Sequence, residues 1–288
     1  MRPRSKVLIS AAGLTDLLRA GDPVSILDVR WSLEVPDGHP AYLRGHIPGA
    51  VYVSLEDELS DHSVTGRGRH PLPTGRNFEA AARRWGVRRN RPVVVYDDWN
   101  RAGSGRLWWL LTASGLTDVR ILDGGLAAWI SAGGELEPGE LTPQPGTFTV
   151  LPEDFSDGVR STLTADEAGD GAETGTWALL DARAPARFRG EEEPLDKAAG
   201  HIPGAVNLPF TAVLADDGTF LPDDAIARLL AERSISTGDN IGTYCGSGVS
   251  ATVLVAALAA TGRDAALFPG SWSQWSSDPS RPVAVGER

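Results

Sequence analysis

The stretch GHIPGAV occurs twice in this chain, at 45–51 and again at 200–206. Its surroundings recur in the same order. SILDVR (25–30) is matched by ALLDAR (178–183), VVVYD (93–97) by IGTYC (241–245), and LDGGLAAW (122–129) by FPGSWSQW (268–275). The offset between copies drifts from 155 (200 − 45) to 146 (268 − 122). A kept order with a slowly drifting offset is what a duplicated domain leaves after a few insertions and deletions. A length of 288 residues with 41% hydrophobic content supports two cores. We therefore expect an N-terminal domain over 1–135, a linker over 136–159 and a C-terminal domain over 160–288. The linker reading rests on Pro138, Pro143, Pro145 and Pro152, since proline continues neither a helix nor a central strand.

Within each copy, short apolar runs alternate with segments of helical spacing. VSILDV and WALLDA end at a carboxylate, as buried strands do, and RPVVVYD and NIGTYC read as the next strands. NFEAAARRWGV (77–87) and DDAIARLLAERSI (223–235) have helical periodicity, led by the capping-type residues Asn77 and Asp223. The fold class is α/β: two tandem domains, each a parallel sheet flanked by helices on both faces. Ligands of such sheets bind at the carboxyl ends of the strands. Cys245, the only cysteine, lies at one of these ends.

The segment after it, Gly246, Ser247, Gly248, Val249 and Ser250, leads into a helix. N–H groups at a helix start lack intrahelical partners, and glycines let the backbone turn them inward as an anion-binding nest. A sulfur at the centre of such a nest is stabilised as the thiolate, the nucleophilic form. A buried cysteine needs no flanking glycines, which weaken the interior of an element by about 0.5–1 kcal/mol each. A cysteine phosphatase would carry an arginine six residues after the cysteine, where this chain has Ala251 and no arginine before Arg263.

The paired GHIPGA stretches, the LDxR runs before them and CGSGV in the second copy alone resemble the two-domain sulfurtransferases of the rhodanese type. The resemblance runs from about Ser25 to Trp275. CGSGV is the loop pattern of the 3-mercaptopyruvate sulfurtransferases, whereas thiosulfate enzymes of the family usually carry Cys-Arg-Lys-Gly. What the resemblance implies is transfer of a sulfane sulfur from a small anionic donor, preferentially 3-mercaptopyruvate, to Cys245. The resulting persulfide then passes its sulfur to a thiol such as thioredoxin, or to cyanide. It also implies that Ser247, with His70 and Asp57 from the N-terminal half, polarises the substrate. Arg187 would bind the substrate carboxylate, and Lys197 is the cation offered by the shortened loop where the family's second arginine is expected. Asp97 replaces the cysteine in the first copy, so that copy is expected to be catalytically silent. Thiosulfate as donor is the alternative, and a sulfur-carrier or redox-sensing module without turnover is a third reading.

Arg183 recurs as Arg30 in the first copy and is expected to be structural, as are the shared His46 and His201. Trp272 is expected near the pocket mouth, and the run Glu191–Glu193 as a solvated loop. A net charge of −11 disfavours nucleic acid and anionic membranes as partners. No run of about 18 apolar residues is present, so no membrane span is expected. One cysteine excludes an internal disulfide and suits a reducing cytoplasm. No metal and no cofactor is expected.

Overall fold

Each apolar run that ends at a carboxylate forms a strand. The computed structural model describes residues 3–287, so the outer limits of the expected domains, 1 and 288, lie outside the described residues. In the first half the strands are β1 (Leu8–Ile9), β2 (Ser25–Asp28), β3 (Ala50–Tyr52), β4 (Val93–Tyr96) and β5 (Val119–Leu122). They form one sheet in the order β1-β5-β4-β2-β3, and every pairing is parallel. In the second half β6 (Ala178–Asp181), β7 (Val206–Asn207), β8 (Ile241–Tyr244) and β9 (Ala266–Leu267) form a parallel sheet in the order β7-β6-β8-β9.

A parallel sheet must be covered on both faces, because its strands are apolar on both. In the first half, Val94 and Tyr96 point into a cluster with Leu14, Leu126 and Trp129. Val93 and Val95 alternate to the opposite face, and the helix Ala102–Ala113 packs along β4 and β5. In the second half, Tyr244 joins Phe188, Ile202, Trp272 and Trp275 in one cluster. The helix Ala251–Ala260, apolar around its whole circumference, packs along β8 and β9. Burying one such Leu or Val side chain contributes about 1.5–3 kcal/mol.

The two compact units do not follow the expected domain boundaries throughout. Among the described residues, one comprises those up to 61 with 72–160 and 215–220; the other comprises 62–71, 161–214 and those from 221 onward. The segment expected to be a linker, 136–159, is extended but packed on the first unit. Phe148 and Phe155 are buried, the Gly146 N–H donates to the Arg83 carbonyl, and the Thr147 and Phe148 N–H groups donate to that of Val87. Prolines excluded regular structure there, while the two phenylalanines supplied a reason to be buried. Helix starts differ by small amounts. The first helix runs Gly75–Arg84, because the Thr74 side chain caps it by accepting from the Asn77 N–H. The other runs Asp223–Ala231, with Pro222 at the cap and Asp223 in the first turn.

Candidate active site

β8 ends at Tyr244, and Cys245 is the next residue. Its N–H donates to Ser271 Oγ at 3.1 Å, and that hydroxyl donates to the Phe268 carbonyl at 2.9 Å. The Cys245 carbonyl accepts the Trp272 N–H at 3.0 Å, and the Gly246 carbonyl accepts that of Ser273 at 2.9 Å. The start of the helix Ser271–Trp275 therefore anchors the cysteine loop. Gly248 has φ +76°, and a Cβ there would overlap the Pro269 carbonyl oxygen, so the position admits only glycine. This turn aims the Gly248 N–H at Cys245 Sγ, 3.1 Å away. Val249 is buried, and Ser250 stands at the N-cap of Ala251–Ala260 without capping it through its side chain. The sulfur-bearing residue is 1% exposed.

Ser247 Oγ lies 2.7 Å from His70 Nδ1, so one proton is shared between hydroxyl and ring. Both side chains are buried. His70 comes from residues 62–71, which belong to the compact unit that holds the cysteine. That segment also brings Arg69. Its backbone N–H donates to Ser273 Oγ at 3.0 Å, and its Nη2 lies 3.2 Å from where a Gly246 Cβ would stand. Arg187 Nη1 lies 3.6 Å from the same point. Two guanidinium groups thus flank the residue next to the cysteine, and a side chain at 246 would intrude between them.

Both arginines carry ion pairs. Arg187 Nη2 donates to Glu193 Oε1 at 2.6 Å and to Asp196 Oδ2 at 3.2 Å. Arg69 Nη1 donates to Asp196 Oδ1 at 2.7 Å. Glu193 also accepts from the N–H groups of Leu195 and Asp196 and from Arg183 Nη1. Its carboxylate is buried, whereas Glu191 and Glu192 of that run are exposed as a solvated loop requires, with Glu191 paired to Arg189. The physical reason is the density of arginine around it, which sequence periodicity does not reveal.

Arg183 pairs with Asp181 through Nε and Nη2 and donates to the Gly200 carbonyl at 2.7 Å. Arg30 does the same with Asp28 and the Gly45 carbonyl. The neighbouring Asp181 and Glu193 raise the Arg183 pKa against the cost of its burial. His46 and His201 also share one environment. Each Nδ1 meets a backbone carbonyl, that of Tyr42 or Phe188, and each ring stacks on the same residue's aromatic ring.

Three further expected residues have surroundings of their own. Asp57 belongs to the first unit, is exposed, and its carboxylate accepts the Ser54 hydroxyl at 2.8 Å in a helix cap. Lys197 is exposed. Trp272 is fully buried in the core, its Nε1 donating to the Ala198 carbonyl, and does not line a mouth. Arg69, Ser271 and Asp196 were missed from sequence. The pair Arg69–His70 was the available signal, because a candidate histidine draws its chain neighbours to the site.

No group of three metal-ligating side chains that could hold an ion occurs among the described residues. Likewise, no helix among them is long and apolar enough to cross a membrane.

The rhodanese-like domain family matches this chain twice, over residues 10–132 and 164–278. The Mycobacterium tuberculosis protein SseB, provisionally named a thiosulfate sulfurtransferase, is 63% identical over 286 residues, 99% of each chain. The human 3-mercaptopyruvate sulfurtransferase is 34% identical over 94% of this chain and 92% of its own. The crystal structure of SseA from Escherichia coli, a 3-mercaptopyruvate sulfurtransferase, superposes with a TM-score of 0.81 at 33% identity, covering 92% of this chain and 98% of that one. With two matched domains and full-length relatives of one enzyme class, the chain belongs to the rhodanese-like sulfurtransferases.

Proposed function

We propose that the enzyme takes the thiol sulfur of 3-mercaptopyruvate onto Cys245, where it becomes the sulfane sulfur of a persulfide, and delivers it to a thiol, such as that of thioredoxin, or to cyanide. The Cys245 thiolate attacks the donor sulfur, the C–S bond breaks, and its electron pair leaves with the pyruvate enolate, which then takes up a proton. Cys245 is left as the persulfide. An acceptor thiolate attacks the outer sulfur and releases the Cys245 thiolate, which is two-step covalent catalysis.

The observation that carries this donor assignment is the 2.7 Å contact between Ser247 and His70 beside the sulfur-bearing residue. An enolate leaving group gains negative charge on its oxygen, and a hydroxyl backed by an imidazole can donate to that oxygen and exchange the proton. Sulfite, which leaves from thiosulfate, needs no such donor. Arg187, with Arg69, supplies the guanidinium face for the donor's carboxylate. Asp57 and Lys197 are proposed in the roles expected for them, the first in polarising the substrate and the second in binding its anionic group. The first half is proposed to be silent because Asp97 cannot carry sulfur, and the enzyme is proposed to be cytoplasmic. Thiosulfate is the second reading, favoured by the provisional name of the Mycobacterium tuberculosis relative and by the paired arginines at Gly246.

Mass spectrometry tests the assignment. Mercaptopyruvate should add one sulfur, about 32 Da, to the protein and not to Cys245→Ser, as a covalent intermediate requires. Ser247→Ala should slow mercaptopyruvate turnover about a hundredfold, the lower range of general acid–base effects, and leave thiosulfate turnover nearly unchanged. Equal losses with both donors would remove the enolate argument, and no adduct with either donor would remove the enzyme reading.

A further inference from the structure

The arginines that face the cysteine loop are already occupied by the chain's own carboxylates. Arg69, Arg183 and Arg187 stand against Asp181, Glu193 and Asp196, so the formal charges of this cluster cancel. Asp196 bridges Arg69 and Arg187, one oxygen to each, at 2.7 and 3.2 Å. Glu193 is held inward by the N–H groups of Leu195 and Asp196, both at 3.1 Å. The turn of 193–196 therefore presents two preorganised carboxylates to the guanidinium groups assigned to the donor.

We infer that Glu193 and Asp196 are specificity-determining residues, which compete with the donor's anionic group for Arg187 and Arg69 and select against donors of higher negative charge. This inference rests on the proposed carboxylate-binding role of Arg187. An incoming carboxylate exchanges one ion pair for another and gains little, as a hydrogen bond does when its partner is already satisfied. The unpaired negative charge left nearby repels a monoanion once and a dianion twice, since Coulomb energy scales with the product of charges. A neutral cluster thus disfavours a dianion such as thiosulfate more than a monoanion such as mercaptopyruvate. Glu193 additionally ties Arg183, whereas the Asp196 carboxylate pairs with the two donor-facing arginines alone, so a change of that carboxylate separates competition from scaffolding.

Titration calorimetry of the full chain with two unreactive probes, pyruvate as the monoanion and sulfate as the dianion, tests the inference. Asp196→Asn keeps the shape and removes the charge. It should tighten pyruvate about tenfold and sulfate about a hundredfold, the logarithm doubling with probe charge. Unchanged or weaker binding of both probes would overturn the inference, because Asp196 would then only position the arginines. Equal tightening of both would overturn the selection by charge. If Asp196→Asn does not fold, Asp196→Ser, which removes the same charge and no other pair, is read by the same criteria. The titrations do not depend on turnover. Failure of Cys245 to take up sulfur from mercaptopyruvate would therefore count against the proposed donor, while failed titrations alongside normal sulfur uptake would count against this inference.

Discussion

Two loops occupy the same place after the same strand, and they treat negative charge in opposite ways. In the first half, Asp97 follows β4 and closes its own loop. Its oxygens accept N–H groups from Trp99, Arg101 and Ser104 at 3.0–3.2 Å and the Ser104 hydroxyl at 2.6 Å. Arg101, left-handed at φ +67°, folds its guanidinium back to 2.9 Å from the same carboxylate. In the second half, Cys245 follows β8, and its sulfur receives the Gly248 N–H. Where the first loop directs three N–H groups and a hydroxyl to a carboxylate of its own, the second directs the Gly248 N–H to the Cys245 sulfur. The two copies thus keep the strand and the helix while the loop between them carries a different side chain and a different set of hydrogen bonds.

Removing the internal anion is the strongest way to break this comparison. Asp97→Asn should destabilise the first half by about 3–5 kcal/mol in equilibrium unfolding, because buried Arg101 loses its charge partner. The double variant Asp97→Cys with Cys245→Ser should take up no sulfur by mass. Uptake at residue 97 would mean that the loop geometry alone suffices for chemistry.

A smaller effect is expected at the glycine that aims the sulfur. Gly248→Ala should cost about 1–3 kcal/mol of stability through its left-handed backbone and its overlap with the Pro269 carbonyl, and should slow persulfide formation. Wild-type stability with slow sulfur uptake would show that the turn matters only to catalysis.

The smallest effect concerns what the halves share. Burial lowers the His201 pKa from its ordinary 6.5. Below 6.5 the unfolded chain binds a proton that the folded chain does not, so stability falls as pH drops from 6.5 towards the folded value. The slope from one group is at most about 1.4 kcal/mol per pH unit. His201→Gln should flatten that part of the stability-against-pH curve, and an unaltered curve would assign it to other groups.

Much of this was legible in the residues. The repeated GHIPGAV, the carboxylate-ended strands and the glycine pair after Cys245 are local patterns, and local patterns report local backbone. Arg30 and Arg183 were readable as scaffold because both copies carry them. The rest was illegible for reasons of distance. His70 and Ser247 are 177 residues apart, and Arg69 and Asp196 are 127 apart. Phe148 and Phe155 turned an expected linker into packed structure through contacts that no proline pattern encodes.

The amino-acid sequence alone determined the duplication, the α/β class, the single cysteine and the glycine turn after it, since these follow from order, periodicity and backbone freedom. Only the tertiary structure decided which charges meet beside Cys245. It drew residues 62–71 into the cysteine-bearing unit and buried Glu193 and Asp196 against the arginines. Ion pairing depends on distance in space, and separation along the chain does not predict that distance.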